Sequence, residues 1–513
     1  MSAVPDVTWR RRLPTVTVAQ WVVCMALAAA LLLALPGQTV TTKSPEEVFA
    51  LFDGLHRVLS GHIPGRDFLT AQGPLAFYLP ALGYLLTGSP GAAFPLAMAL
   101  VLVALAPVMA HILASRLQPV LALLTAALLT LVVAVPMALG DGLTQLSFAQ
   151  FHNRIGWAAI SLLLLMHLPA PAPQPLRDMA CAMALVLLMV LLRPTYGIVA
   201  LLFLVFLATD PAQRRGMLPA LGLVAALLAA FALLWPGMPG MLRALEMAAG
   251  AGGILRGSWG QILDHLLANF TDYVLALLLA GFALHRRPRL RDALFYAFCA
   301  VAGFWLINHN LQRWGILPLY AMAVVAAERL LRQPRPAVWA TPSGIKLFVT
   351  AMMLPTLVHC SAALLLHAAV AASNSARAFP LAGMERVRLA SLWTEGSFAA
   401  GGALLDQTAE ATAVLAALSP PPGRLLVLGG PDPFSAALDL PPARGIQPDL
   451  RWLETMGPDH HPTPAEMLAD VDIVAERVAG IGPAEQLYLP SVTGSFDLVA
   501  ETAQWRFYRR PAP

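Results

Sequence analysis

Between Thr42 and Leu75 the chain reads TKSPEEVFALFDGLHRVLSGHIPGRDFLTAQGPL and places Glu46, Glu47, Asp53, Arg57 and Asp67 in one polar stretch. A carboxylate in such a loop can take the proton of an attacking hydroxyl, and a guanidinium beside it can steady an anionic leaving group. Ser44, Pro45 and Glu47 suit the N-cap, the first helical position and the capping-box position of a helix, which Gly61 ends. Val48, Leu51, Phe52, Leu55 and Leu59 recur at three and four and make its apolar face. Glu46, Ala50, Asp53 and Arg57 fall on another face as one stripe. Capping by Glu47 and dipole complementation by Glu46 are the plain alternative to chemistry. Pro64-Gly65 predict a turn that sets Asp67 back toward the membrane, and Gly73-Pro74 punctuate the start of the next apolar segment.

The elements that must hold these residues are apolar. Of the 513 residues 58% are hydrophobic and 12% charged, where a soluble domain carries about twice that charge. Runs near the length needed to span a bilayer recur at 18–35, 75–88, 94–113, 117–137, 155–168, 179–192, 195–208, 217–235, 267–284, 292–307, 314–328 and 345–370. The expected fold is mainly α, a polytopic helical membrane protein with about 11–13 transmembrane segments. The formal charge of +4 reflects basic loops and not nucleic-acid binding. Cys24, Cys181, Cys299 and Cys360 all lie in apolar segments, without metal-ligand spacing.

Arginines set the expected orientation. Arg10, Arg11 and Arg12 place the N-terminus in the cytoplasm ahead of a retained first helix, and the runs at 285–291, 214–215 and 329–335 mark further cytoplasmic turns. The polar loops then gather on the outer side. Counts from the two ends disagree by one crossing between Leu75 and Leu113; segment 75–88 is re-entrant or part of a broken helix. Beyond about residue 374 the composition turns polar, which predicts residues 1–373 as a transmembrane domain with outer loop 37–74, and residues 374–513 as a small extracytoplasmic α/β domain. In it, 424–430 reads as a buried strand and turn, 464–477 carries helical spacing, and 496–509 reads as a strand or hairpin. Gly429-Gly430 lacks the fuller glycine pattern of a dinucleotide site, and His460-His461 reads as a surface loop.

In the order Glu46-Glu47, Gly61, Pro64 to Asp67-Phe68, then Gly73-Pro74-Leu75, the first loop resembles the GT-C superfamily of membrane glycosyltransferases, among them protein O-mannosyltransferases and lipid A aminoarabinose transferases. Their first acid is typically Asp, where this chain has Glu46; Asp53 is the alternative. The resemblance implies transfer of a sugar from a polyprenyl-phosphate donor to a glycan, lipid or protein acceptor, by direct displacement with inversion, at the outer face of a bacterial-type inner membrane. It implies Glu46, Glu47 and Asp53 as catalytic carboxylates, with Arg57 and Asp67 contacting substrate. Asp141 in the second outer loop would hold sugar hydroxyls or a divalent metal, the one candidate cofactor. His152, Asn153 and Arg154 would meet a phosphate, and so would Arg193 with Tyr196 at a break in an apolar run, since charge at membrane depth usually faces a cavity. His309 and Arg313 form a further candidate pair, and the loop from Gly250 to His265, with Arg256 and Trp259, is a candidate cover. Polysaccharide polymerase or ligase, lipid-linked sugar transporter and inactive scaffold are the competing readings; no paired repeat of transporter type is present.

Overall fold

The computed structural model describes residues 17–251, 259–309, 314–333, 341–445, 456–478 and 482–511, with Gln312, Pro448 and Trp452. Arg10 to Arg12, Arg256, Arg313 and Arg335 lie outside the described residues. In chain order the elements are α1 (Val18–Ala34), β1 (Thr39–Thr41), α2 (Pro45–Leu59), α3 (Leu75–Thr87), α4 (Pro90–Arg116), α5 (Pro119–Ala134), α6 (Phe151–Leu165), α7 (Pro175–Leu192), α8 (Pro194–Ala208), α9 (Arg214–Leu234), α10 (Met238–Ala251), α11 (Trp259–Ala268), α12 (Phe270–Arg286), α13 (Leu290–His309), α14 (Leu317–Leu331) and α15 (Pro342–Ser373). Then follow β2 (Arg377–Ala378), β3 (Val387–Leu389), α16 (Glu395–Ala416), β4 (Leu425–Val427), α17 (Phe434–Ala437), α18 (Pro464–Leu468), β5 (Ile473–Arg477), α19 (Pro483–Ser495), β6 (Asp497–Glu501) and β7 (Trp505–Arg509). Prolines at the first turns of α4, α5, α7, α8, α14 and α15 mark the starts of these apolar helices, where a missing N–H is harmless.

By length and composition α4, α7, α9, α13 and α15 can each cross a membrane, and α11 with α12 forms a pair bent by 69°. The loops sort the helix ends onto two faces of a multi-pass bundle. One face carries a set of ion pairs: Asp178 of α7 with Arg116 (2.7 Å) and His111 (2.8 Å) of α4, Asp292 of α13 with His167 (2.7 Å) and Arg329 of α14 (3.1 Å), Asp210 after α8 with Arg291 of α13 (3.3 Å), and Glu328 with Arg332 at the end of α14 (2.8 Å). Pairing makes burial of these charges tolerable. The other face carries loop one, the second polar loop and the chain beyond α15.

This arrangement settles the path between Leu75 and Leu113. Both ends of α3 stay on the loop-one face. At its start Gly73 N donates to Leu192 O at the end of α7 (3.1 Å). At its end Thr87 and Gly88 line a cleft of about 470 Å³ together with Phe52 and His56 of α2 and Met384 to Arg386. Thirteen residues rise only about 20 Å, short of the ~30 Å hydrocarbon core. Segment 75–88 therefore lies along the face, and α4 makes the crossing. Among the described residues α4, α7, α9, α13 and α15, with α11 and α12 as one bent span, are long and apolar enough to cross, and α1, α5 and α8 are shorter apolar helices.

Loop one and the C-terminal chain share a sheet. β1 pairs in parallel with β3, Thr39 opposite Val387 and Thr41 opposite Leu389, and β2 closes the other edge of β3. A second sheet, in the order β4-β5-β7-β6, is parallel at β4–β5 and antiparallel elsewhere, with apolar clusters on both faces. Residues 424–430 and 496–509 form the expected strand and hairpin. The helix expected over 464–477 does not form: α18 ends at Leu468, and Ile473 to Arg477 are strand β5. The Asp472 carboxylate accepts from Arg424 N (2.9 Å) and leads the chain into the β4–β5 ladder, so tertiary pairing overrides local spacing. At Gly429, which holds φ +72°, a Cβ would stand 1.9 Å from the Glu485 carboxylate. Gly457 and His460 form an isolated bridge, and the His460 ring lies against Gly250 of α10.

Candidate active site

Helix α2 starts as its sequence dictates. Ser44 caps it by accepting from Glu46 N (3.3 Å), and Gly61 follows its end with φ +83°. The expected capping box is not made: Glu47 turns away from Ser44, and Ser147 Oγ donates to Glu47 Oε2 at 2.6 Å. A charge-assisted bond to a fixed hydroxyl outweighs a box at an exposed helix start. Glu46 points the other way and pairs with Arg477 at the end of β5. Asp53 and Arg57 form a 2.9 Å ion pair with both side chains only 2% exposed. Arg57 Nη1 also donates to Ala443 O (2.6 Å), and the guanidinium stands over Phe68. The stripe expected on one face of α2 is thus divided between different partners.

Asp67 closes the turn after α2. Its Oδ2 accepts from Ile63 N (2.8 Å) and Arg66 Nη2 (2.6 Å), and its carbonyl accepts from Gly445 N (2.7 Å). Burial pushes this carboxyl up, but the Arg66 guanidinium and the Ile63 N–H together bring it below its usual value.

Facing Glu47 is the second polar loop, stitched to loop one by backbone. Thr42 N donates to Leu146 O (3.1 Å), and Leu146 N returns a bond to Thr42 Oγ1 (2.8 Å). This brings Asp141 Oδ2 to 2.6 Å from Lys43 Nζ, itself 3.7 Å from Glu47 Oε1. His359 Nε2 donates to Asp141 O (3.1 Å). Directly behind Ser147 lies buried Arg154, whose Nη1 donates to Met137 O (2.9 Å) and Ser147 O (3.3 Å). Its Nε and Nη2 are buried without a hydrogen-bond partner among the described residues. Next along α6, Asn153 bonds Gln150, and His152 Nε2 accepts from Arg193 Nη1 (2.7 Å) while its Nδ1 has no partner among the described residues. Tyr196, one turn into α8, is fully buried against Trp157, its hydroxyl without a hydrogen-bond partner among the described residues. Gly156 admits that ring, since a Cβ there would stand 2.7 Å from it. Trp157 Nε1 donates to Gln312 Oε1 (2.5 Å).

Of the residues singled out from the sequence, the fold gathers Glu47, Asp141 and Arg154 around Ser147, and His152, Arg193 and Tyr196 at the adjoining ends of α6 and α8. It sets Asp53, Arg57 and Asp67 in the seam between α2 and the C-terminal chain, and Glu46 at the edge of β5. His309 turns back on its own helix, its Nδ1 at 2.9 Å from Trp305 O. Sequence reasoning passed over Lys43, Ser147 and Gln312. Lys43 had a signal in its spacing of four from Glu47; Ser147 had none.

The divalent metal considered for Asp141 does not fit these residues. Among the described residues no three His, Cys, Asp or Glu side chains converge as ligands, and between Glu47 and Asp141 stands the Lys43 ammonium.

No family model matches the sequence, and no curated protein matches it. Among solved structures the chain is similar to ArnT from Cupriavidus metallidurans bound to undecaprenyl phosphate, at 14% identity and TM-score 0.47, over 95% of this chain and 97% of that one. The apo state of that protein gives 13% identity and TM-score 0.45 over the same shares. Arabinofuranosyltransferase AftD from mycobacteria is similar at 15% identity and TM-score 0.43, over 96% of this chain and 40% of that one. Likenesses of this depth carry nothing about substrate or residue roles.

Proposed function

We propose that this chain is a GT-C-type membrane glycosyltransferase that moves a sugar from a polyprenyl-phosphate donor to a glycan, lipid or protein acceptor. The observation that carries this reading is Ser147: its hydroxyl binds the Glu47 carboxylate, and its carbonyl accepts from buried Arg154. A base and an unsaturated cationic donor are thus held one residue apart. The acceptor hydroxyl attacks the anomeric carbon of the donor and gives its proton to Glu47. The bond from that carbon to the phosphate oxygen breaks, and the electron pair leaves with the polyprenyl phosphate. Arg154, with Arg193 and His152 behind it, stabilises the departing anion in a site sheltered from water. Glu47 takes the role of base, in preference to Glu46 and Asp53, because its carboxylate is partly open and held by Ser147, whose carbonyl binds Arg154, whereas Glu46 pairs with Arg477 and Asp53 is buried with Arg57. No ATP enters this reaction.

The arginine-bearing turns at the opposite face favour loop one on the outer side of a bacterial-type inner membrane, with the N-terminus in the cytoplasm. Residues 1–373 then form the catalytic membrane domain, and residues 374–513 a periplasmic or extracellular domain that covers it. The test is sugar transfer by purified protein in lipid, with a panel of radiolabelled polyprenyl-phosphate sugars. Folded Glu47→Gln loses about 10²–10⁴-fold in rate, whereas Glu46→Gln keeps most of it. Full activity in Glu47→Gln removes the base assignment. Absence of both donor binding and transfer in the wild type removes the enzyme class.

A further inference from the structure

The two carboxylates that face each other across loops one and two already hold a cation. Lys43 Nζ is 2.6 Å from Asp141 Oδ2 and 3.7 Å from Glu47 Oε1, and the three side chains are 22–24% exposed. The ammonium is placed by the chain itself. Lys43 N donates to Thr41 Oγ1 (3.3 Å), Thr41 is the last residue of β1 in register with Leu389, and Thr42 is bonded to Leu146 on both sides. The chain is therefore held before Lys43 by these bonds and after it by Ser44, which caps α2.

We infer that Lys43 is the built-in cation of this site, standing between the loop-one and loop-two carboxylates where a divalent ion would bind, and that transfer needs no added divalent metal. It is a positioning residue: it draws Glu47 and Asp141 together and balances their charge while Ser147 orients Glu47. A hard divalent ion seeks carboxylate oxygens, and here it would have to displace a tethered ammonium. Removing the ammonium leaves two facing carboxylates and the Ser147 hydroxyl, all oxygen donors, without the cation that stands between them. The role in transfer rests on the proposed function; the ammonium in place of a metal does not.

The experiment is Mn²⁺ binding to the full chain in lipid nanodiscs, followed by electron paramagnetic resonance. Wild type, Lys43→Met and Lys43→Met/Glu47→Gln are compared, and transfer is assayed with and without a chelator. Lys43→Met is expected to bind Mn²⁺ at least about tenfold more tightly than wild type, and the double variant to lose that gain. Wild-type transfer is expected to be unchanged by the chelator. Equal Mn²⁺ affinity in wild type and Lys43→Met overturns the inference, as does wild-type transfer that chelator abolishes and Mn²⁺ restores. Should Lys43→Met not fold, wild type against Glu47→Gln decides: Mn²⁺ affinity lost on removing the carboxylate means a metal already sits there, and unchanged affinity upholds the ammonium. The Mn²⁺ comparison reads even if no donor sugar is transferred, so failure of the enzyme class remains distinct from failure of this inference.

Discussion

Asp53 and Glu47 lie six positions apart on one helix and have different surroundings. Asp53 is buried with Arg57, at 2% side-chain exposure each, while Glu47 is partly open and bonded to a hydroxyl from the second loop. Breaking a buried pair by removing one partner costs about 3–5 kcal/mol, because a charge is left buried without its counter-ion. Asp53→Asn is therefore expected to lower the melting temperature clearly, and Asp53→Leu with Arg57→Met to recover most of the loss. Asp53→Asn that melts like wild type yet transfers no sugar would move the base from Glu47 to Asp53. The two acids are separated by folding stability measured beside activity, which periodicity along α2 cannot do.

At the scale of elements, loop one is set by backbone-to-backbone contact with the start of α10. A Cβ on Gly240 would stand 1.9 Å from Gly65 O, and one on Gly65 would stand 2.1 Å from Gly237 O. Gly65 also holds φ +82°, so alanine there is strained as well as crowded. Gly240→Ala tests the contact alone: it is expected to destabilise by about 1–3 kcal/mol through overpacking and to loosen the turn that carries Asp67. Gly222, inside α9, has nothing within 4 Å of its Cβ position, so Gly222→Ala is expected to be neutral or stabilising by up to about 1 kcal/mol. Thermal melting of both variants in the same lipid checks the pair. A Gly240→Ala protein as stable as wild type would mean that α10 can move away from the turn without loss.

Across the whole molecule, ion pairs seat the C-terminal chain on the loop-one face: Glu46 with Arg477, Glu466 with Arg243 (3.0 Å), and Asp67 with Arg444 (3.9 Å). The Arg243 guanidinium, followed by the Thr463 N–H, brings the Glu466 carboxyl down from 4.5 to about 2, while Asp67, despite its burial, is held below its usual 3.8 by Arg66 and Ile63 within loop one. Carboxyls depressed by folding contribute stability that is complete above their unfolded values and lost as pH falls through the folded ones. Seating is thus expected to hold from about pH 8 to 5 and to weaken between about 4.5 and 2. Hydrogen exchange at β1 and β3 reports it directly, since that ladder joins loop one to the C-terminal chain. Loosening already at neutral pH would assign the seating to other groups.

The sequence by itself determined the membrane class, the course of most apolar helices and the limits of α2, from Ser44 to Gly61. These follow from hydropathy, helical period and capping chemistry, all of which act over a few residues. It also marked Arg154 and Arg193 as charges in need of a reason. Only the tertiary structure decided that α3 lies along one face, that residues 473–477 are a strand, and that Glu47 turns to Ser147 of the second loop while Glu46 meets Arg477. The physical reason is distance along the chain. Glu47 is oriented by Ser147, one hundred positions away, and Glu46 by Arg477, 431 positions away, and no local pattern records such a partner. Lys43 shows the boundary most clearly: its spacing of four from Glu47 was present in the sequence, but its meaning came from Asp141, brought to 2.6 Å by the fold.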